Sequence, residues 1–472
     1  MKEKKTLILR LLRLISLIIL YYIVGNKSIF LYALSLSLYN IFISCLDHIT
    51  IQESFKRIEN ISTKNKLFKI LLLIITIISL FFLLLSITVS DLLSLLLKID
   101  GIKSIFIIMG ISIIIKPLIK LLCEYLANIK NRAIYLSFIK AYEVIDNILM
   151  LIIALFSFRI LNLKPINAIF SLYLSKIIAM FIIVTLIYQL NKYSKTIKLY
   201  GVGKINYRKE IKKILFTNSN KSIISIIKKS YYYISIILLY LILSTRYNYQ
   251  LSNLEKIIVF MYFYVIEIID YIVHVVGLII KKISKDSNIT NNVYYSFKIM
   301  TPIAITLGII APLISKAIFN NYEYSIYLSM MSFLSIFILL YDTVTNDIKN
   351  KYILNISLLA GIISKIVLII PLINSFYRMG YNLIYGDIFS TIIAMSLTIT
   401  INYLHVKKAT KNEEKYFERI LKILYENILL AIILILMQFI IPISGISYIK
   451  SLGLTIIYII VSTVFIKIIN KK

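Results

Sequence analysis

Residues Asn218 to Ser244 read NSNKSIISIIKKSYYYISIILLYLILS, an apolar run of membrane length with Lys221, Lys228 and Lys229 inside it. A transmembrane helix needs about 20 predominantly apolar residues. At ~1.5 Å rise per residue, Lys228 and Lys229 fall roughly 15 Å past Asn218, near the middle of a bilayer. A lysine at that depth costs on the order of 2.5–3.5 kcal/mol on insertion scales. The run therefore sets two expectations: the segment spans a membrane, and its cations face something other than acyl chains.

Runs of this kind recur along the whole chain. It has 472 residues, 60% of them hydrophobic, and a mean hydropathy of +0.88, against ~45–50% apolar for soluble chains. A polytopic membrane protein follows, rather than a soluble domain with one anchor. The first run, TLILRLLRLISLIILYYIV, leads into VGNKS. That is a poor match to a small-residue cleavage site, so it reads as an uncleaved first helix. The net charge of +31 would point to nucleic acid in a soluble protein. Here the cations gather at the ends of apolar runs, so topology accounts for them and no nucleic acid is expected. Cys45 and Cys123 give neither a disulfide framework nor metal spacing. His48, His274 and His405 are scattered. There is no Walker A loop, no GxSxG and no metal cluster, so neither covalent chemistry nor a cofactor is expected. Trp is absent, which leaves Tyr and Phe to supply any interfacial belt.

The hydropathy pattern predicts an all-α membrane protein of about fourteen helices in two lobes around a central cavity. The predicted spans are 6–24, 29–49, 67–90, 102–126, 133–157, 165–190, 214–245, 256–280, 296–318, 324–345, 352–374, 381–405, 418–441 and 447–468. Loop charge sets the orientation. The N-terminus carries Lys2, Lys4 and Lys5, and alternate loops such as SFKRIENISTKNKLFK, NIKNR, KKISKDSN and HVKKATKNEEKYFERILK are basic. The intervening ones, such as VGNKS, FNNYEY and PISGIS, carry few cations. By the positive-inside rule both termini lie in the cytoplasm of a multi-pass protein of the cytoplasmic (inner) membrane. The long basic loop NKYSKTIKLYGVGKINYRKEIKK divides the chain. An N-terminal lobe of about six helices covers residues 1–200, the end of the linker covers 201–213, and a C-terminal lobe of about eight helices covers 214–472. A basic cytoplasmic linker between two bundles suits a two-lobed transporter, and it also meets anionic lipid.

Charges inside the spans mark candidate sites. Helix 4 holds IIIKPLIKLLCEYL, where Lys116, Lys120 and Glu124 recur every four residues and share a face. Pro117 removes a backbone bond and predicts a kink. Helix 5 carries Lys140, Glu143 and Asp146 at spacings of three, and helices 6 and 11 carry Lys176 and Lys365. Helix 8 reads VIEIIDYIVHVVG, placing Glu267, Asp270 and His274 on one stripe expected to face inward, toward helix 7. The cations Lys221, Lys228, Lys229, Lys116 and Lys120 are candidates to line a wet cavity and meet an anionic substrate. Glu267, Asp270, His274 and Glu143 are candidates for ion pairing or for binding a coupling ion. Residue types alone leave structural ion pairs and snorkelling lysines as the competing reading.

Several stretches resemble the multidrug/oligosaccharidyl-lipid/polysaccharide (MOP) exporter superfamily, and within it the stage V sporulation protein B branch of polysaccharide and lipid II flippases. FLYALSLSLYNIFISCLDHITIQESFKRIEN is similar to that family's second helix and the basic stretch after it. LIKLLCEYLANIKNRAIYLSFIKAYEVIDNIL resembles the segment holding a conserved turn and a following motif helix, with Tyr125, Asn131 and Glu143 at matching places. YSKTIKLYG resembles the interlobe linker. FKIMTPIAITLGIIAPLISKAIFNN and KNKYILNISLLAGIISKIVLIIPLI resemble the ninth and eleventh helices. There are departures. SLIILYYIVG lacks the family's first-helix arginines, although Arg10 and Arg13 lie earlier; the turn has become CEYLAN; and the proline opening helix 7 is replaced within LFTNSN. Lys221 falls where the family often carries a basic residue.

The resemblance implies alternating-access flipping of an undecaprenyl-pyrophosphate-linked saccharide, in peptidoglycan synthesis and sporulation. The expected partners are the lipid-linked anionic glycan and membrane lipids, with a coupling ion and a cell-wall polymerase as further candidates. Other classes stay open. A multidrug or cation antiporter would want a net acidic cavity. A degenerate, non-transporting scaffold fits the lost turn motifs. A polytopic glycan polymerase or ligase would want a large extracytoplasmic catalytic loop, which the sequence lacks.

Overall fold

The computed structural model describes residues 2–47, 55, 61–97, 102–130, 134–192, 235–247, 264–283, 289–319, 321–322, 325–347, 351–409, 416–440 and 447–471. Lys221, Lys228 and Lys229, and the predicted linker at 201–213, lie outside them. Among the described residues every regular element is a helix. In chain order these are α1 (Lys2–Ile23), α2 (Asn26–Asp47), α3 (Ile61–Leu97), α4 (Ile102–Ile113), α5 (Ile115–Ile129), α6 (Ile134–Ala154) and α7 (Pro165–Lys192). A short apolar helix, α8 (Ser235–Arg246), follows. Then come α9 (Ile266–Ile283), α10 (Ile289–Phe319), α11 (Ser325–Asp347), α12 (Lys351–Arg378), α13 (Ile384–Ala409), α14 (Tyr416–Ile440) and α15 (Tyr448–Lys471). With α4 and α5 read as one broken span, each predicted helix has its counterpart among the described residues, α8 being the described end of the seventh, whose residues 214–234 lie outside them. Nine of these segments, among the described residues, are long and apolar enough to cross a membrane. The chain is a multi-pass membrane protein.

Packing groups the chain into two compact units, Met1–Val259 and Phe260–Lys472. In the first, α3 packs on α4, and α6 on α7. Its outward face shows why lipid is the solvent: Leu73, Ile77, Leu80, Phe81 and Leu84 of α3 are all exposed. Large contiguous apolar patches of this kind are rare on soluble monomers.

Several helices run past their predicted ends. α3 has 37 residues, about 55 Å at ~1.5 Å per residue, against a hydrocarbon core of ~30 Å. The predicted span at 67–90 is its apolar middle, and the expected loop ending near residue 69 is already helical from Ile61. Hydropathy registers the part that lipid must solvate. It is blind to polar turns such as Ser62–Lys66 that continue the helix into water.

α2 is enclosed almost all round, with every residue from Ser28 to Asn40 buried. Its serines need no external partner. The Ser35, Ser37 and Ser44 hydroxyls donate to the carbonyls of Tyr32, Ala33 and Ile41 at 3.0, 2.6 and 2.6 Å. Small residues with internally satisfied hydroxyls let neighbouring helices approach closely.

The predicted kink at Pro117 is a break between α4 and α5 at Ile114 (φ −69°, ψ −25°). Pro117 has no N–H to give to Ile113, and the ladder resumes where Leu118 N–H reaches Ile114 O at 3.1 Å. α6 ends in a π-turn, Leu155–Ile160. From it the Arg159 guanidinium donates to Tyr22 O at 2.8 Å, satisfying a carbonyl at the C-terminal end of α1.

In the second unit α10 packs on α11, α12 on α13, and α10 also on α14 and α15. α13 meets α12 through Gly386. A Cβ there would stand 2.5 Å from Ile373 N and 2.7 Å from Ile373 Cα. The contact is with backbone, so it cannot be relieved by turning a side chain.

Candidate functional site

Charges inside the first unit's helices are arranged in pairs. α5 starts after the break at Ile114, and its four-residue periodicity puts Lys116, Lys120 and Glu124 on one face. Lys116 Nζ meets Glu143 Oε1 of α6 at 3.2 Å, both half-buried. Three residues on, Asp146 of α6 reaches α7. Its Oδ2 takes Lys176 Nζ at 2.7 Å, and its Oδ1 accepts from the Ser175 hydroxyl at 2.6 Å. The Lys176 ammonium also stands 5.1 Å from the centre of the Tyr39 ring of α2, within cation–π reach. Behind it the Tyr173 hydroxyl donates to Ser35 Oγ at 2.8 Å, and the Tyr32 hydroxyl to Met150 Sδ at 3.2 Å. Polar contacts thus join α5 to α6, α6 to α7 and α7 to α2 within an apolar bundle.

Spacing singled out Lys116, Lys120 and Glu143 as site candidates. The structure adds that Lys116 and Glu143 neutralise one another, and it leaves Lys120 half-buried one turn on. Asp146 and Lys176 were visible as intramembrane charges but were not placed in the site. Opposite signs on consecutive spans were the signal that could have joined them.

Asp146→Asn is expected to lower stability toward the lower end of the ~3–5 kcal/mol range for breaking a buried pair, because both partners keep a little exposure. The variant leaves the Lys176 ammonium in the bundle without its carboxylate. Thermal unfolding in detergent or nanodiscs reads the loss. The double change Asp146→Leu with Lys176→Met should recover most of it.

In the second unit the acidic stripe of α9 exists as a helical face, but its members differ. Glu267 and His274 are half-buried and Asp270 is exposed, so Asp270 does not sit in the interior of its unit. The expected lysine partners on helix 7 lie outside the described residues. The most enclosed charges are elsewhere. Lys365 Nζ of α12 lies 3.8 Å from Asp387 Oδ1 of α13, with side chains 4% and 2% exposed. The Asp387 carbonyl accepts from Ser390 and Thr391 at 2.7 and 2.9 Å, and Thr398 of α13 donates to Ser357 O of α12 at 3.1 Å. Lys365 was named from the sequence. Asp387 was not, because a lone acid one turn into an apolar helix reads as an interfacial residue. Among the described residues no group of three His, Cys, Asp or Glu side chains could hold a metal ion.

No protein-family model matches the chain, and no curated protein sequence matches it. Solved structures do. The lipid II flippase MurJ in an inward closed conformation is similar over 99% of this chain and 98% of that one, at 16% identity and TM-score 0.68. An inward-facing multidrug resistance MATE family transporter of the MOP superfamily covers 86% of this chain and 96% of its own, at 11% identity and TM-score 0.58. A MOP superfamily transporter from Pyrococcus furiosus covers 86% and 95%, at 12% identity and TM-score 0.50. Two helical units, an all-α membrane architecture and a match running nearly end to end lead to one conclusion: the chain has the fold shared by MurJ and the MATE transporters of the MOP superfamily.

Proposed function

We propose that this protein is a transporter that moves an undecaprenyl-pyrophosphate-linked saccharide, a peptidoglycan precursor or related glycan unit, across the cytoplasmic membrane by alternating access, with both termini in the cytoplasm. The observation that carries the reading is the extent of the fold likeness. The lipid II flippase accounts for 99% of the chain, whereas the MATE transporter accounts for 86%. The charge supports it. Lysines outnumber acids inside the spans, and a diphosphate gives a cation a strong, charge-assisted partner. The prenyl tail stays in lipid, and no bond is made or broken. Membrane lipids are its surroundings, and a cell-wall polymerase that consumes the flipped unit is its natural partner.

The test is on the cations of the apolar run Asn218–Ser244. Lys221, Lys228 and Lys229 changed together to Gln should abolish movement of the lipid-linked precursor to the outer leaflet while insertion and abundance stay unchanged. Arg at the same positions should retain more activity than Gln, because the charge is kept. Normal flipping by the Gln variant would overturn the assignment of these lysines. Depletion of the protein with no accumulation of any lipid-linked precursor on the cytoplasmic face would overturn the substrate. Resistance to cationic drugs that rises with expression would favour the multidrug alternative.

A further inference from the structure

Most charges inside the first unit are accounted for by a neighbour of opposite sign, and Glu124 of α5 is handled differently. The residue is 6% exposed, and nothing among the described residues hydrogen-bonds its buried Oε2. It is five residues short of Ile129, the last residue of α5, so roughly 7–8 Å of helix separates it from that end. Cys123, beside it, is fully buried against the apolar core shared by α5, α6 and α7.

Most ionisable groups on the packed elements have other engagements; on α4, Lys103 pairs with Asp91 of α3 at 3.0 Å. On α5 itself, Lys120 one turn earlier and Cys123 are its electrostatic neighbours, and Lys116 is taken by Glu143. Tyr125 donates to Asn65 of α3 at 2.5 Å. From α3, Lys64 reaches past to Asn128 O at 3.4 Å. On α6, Glu143 holds Lys116 and Asp146 holds Lys176; Lys140 is half-buried, and the Tyr142 hydroxyl is buried with no hydrogen-bond partner among the described residues. From α7, Lys176 is spent on Asp146, and from α2, Tyr39 lies against Lys176.

We propose that Glu124 is a proton-binding site of the first unit. Its carboxyl carries a proton on Oε2 in the arrangement described here. When the surrounding helices separate and water reaches it, the O–H bond breaks, the proton passes to water and the carboxylate remains. An ionised carboxylate buried without hydrogen bonds costs several kcal/mol, and a proton removes the ionic part of that cost, leaving the smaller cost of a buried neutral hydroxyl. A metal cation is the poorer occupant. It needs several oxygen or nitrogen ligands, and the described residues offer no such cluster, whereas a proton needs one oxygen. Lys120 nearby disfavours a second positive charge and stabilises the carboxylate once the proton has left. The site thereby names the coupling ion of the proposed transporter, and for that consequence alone it rests on the transport reading.

Infrared difference spectra of the full-length protein in lipid bilayers, titrated from acidic to alkaline pH, test the site directly. The expected result is a carbonyl band of a protonated acid that is lost on alkalinisation, absent in Glu124→Gln, and shifted but present in Glu124→Asp. Glu124→Gln should also keep the wild-type thermal midpoint, since the amide mimics the neutral acid. A spectrum unchanged by Glu124→Gln, or a marked destabilisation by it, would overturn the proposal in favour of a charged structural acid. Coupling is read separately in proteoliposomes. A pH gradient should accelerate wild-type transport of the lipid-linked precursor and leave the Gln variant unresponsive. An equal response from both would overturn the coupling role. A wild-type protein that shows the band but moves no precursor would overturn the substrate reading and leave the proton site standing.

Discussion

Asp387→Asn is expected to be among the most destabilising single substitutions in the second unit, at about 3–5 kcal/mol, the range for removing one partner of a buried ion pair. The change is nearly isosteric, so packing is kept and only the charge goes. Lys365, a residue only 3% exposed, then sits on α12 with no carboxylate on α13 to offset its charge. The direction follows from asymmetry. An intact pair contributes little net stability against well-packed apolar side chains, while half a pair leaves a bare charge in a low-dielectric interior. Thermal unfolding in nanodiscs should show a large drop for Asp387→Asn and for Lys365→Met alone. The double variant Lys365→Met with Asp387→Leu should return close to wild type, giving a coupling energy of several kcal/mol in the cycle. Additive losses would mean that the two charges do not act as a unit.

Gly386→Leu carries the second large effect. Overpacking usually costs ~1–3 kcal/mol because side chains and backbone shift to make room. Here the obstruction is the backbone of Ile373, and even the first added carbon would stand 2.5 Å from its nitrogen. α12 and α13 must separate, and with them Lys365 and Asp387. We expect Gly386→Leu to exceed the usual overpacking range, Gly386→Ala to fall inside it, and Gly386→Leu to couple strongly with Asp387→Asn because the positions are adjacent. Thermal midpoints and yield of folded protein check the order. A Leu variant as stable as wild type would show that this helix pair is loosely packed.

What the sequence made legible was set by the solvent. Apolar runs of about twenty residues are demanded by lipid, so each predicted span has a helix. Helix ends were not legible, because Ile61–Lys66 is helical without being apolar. The Pro117 break was readable, since a missing N–H is a local property. Lys116, Lys120 and Glu124 were readable as a stripe for the same reason. Pairings were not local. Nothing in the one-dimensional pattern joins Asp146 to Lys176, or Lys365 to Asp387, until α6 packs on α7 and α12 on α13. Periodicity placed Glu267, Asp270 and His274 on one face, but which part of that face is covered depends on neighbours that spacing does not specify.

The enclosure of α2 has a consequence for how the chain is made. Its contacts reach far ahead: Tyr32 to Met150 and Ser35 to Tyr173, 118 and 138 residues later. At ribosomal rates of ~5–20 residues per second, α2 leaves the ribosome roughly 6–28 s before its partners on α6 and α7 exist. For that interval it waits beside lipid or translocon with a serine-rich surface meant for protein. The local hydroxyl bonds to its own carbonyls let it wait. They keep the helix soluble in hydrocarbon until the later helices arrive and close around it, so enclosure of α2 is paced by synthesis of the helices that follow, as far as α8, whose Tyr240 stacks on Phe30 at 5.1 Å.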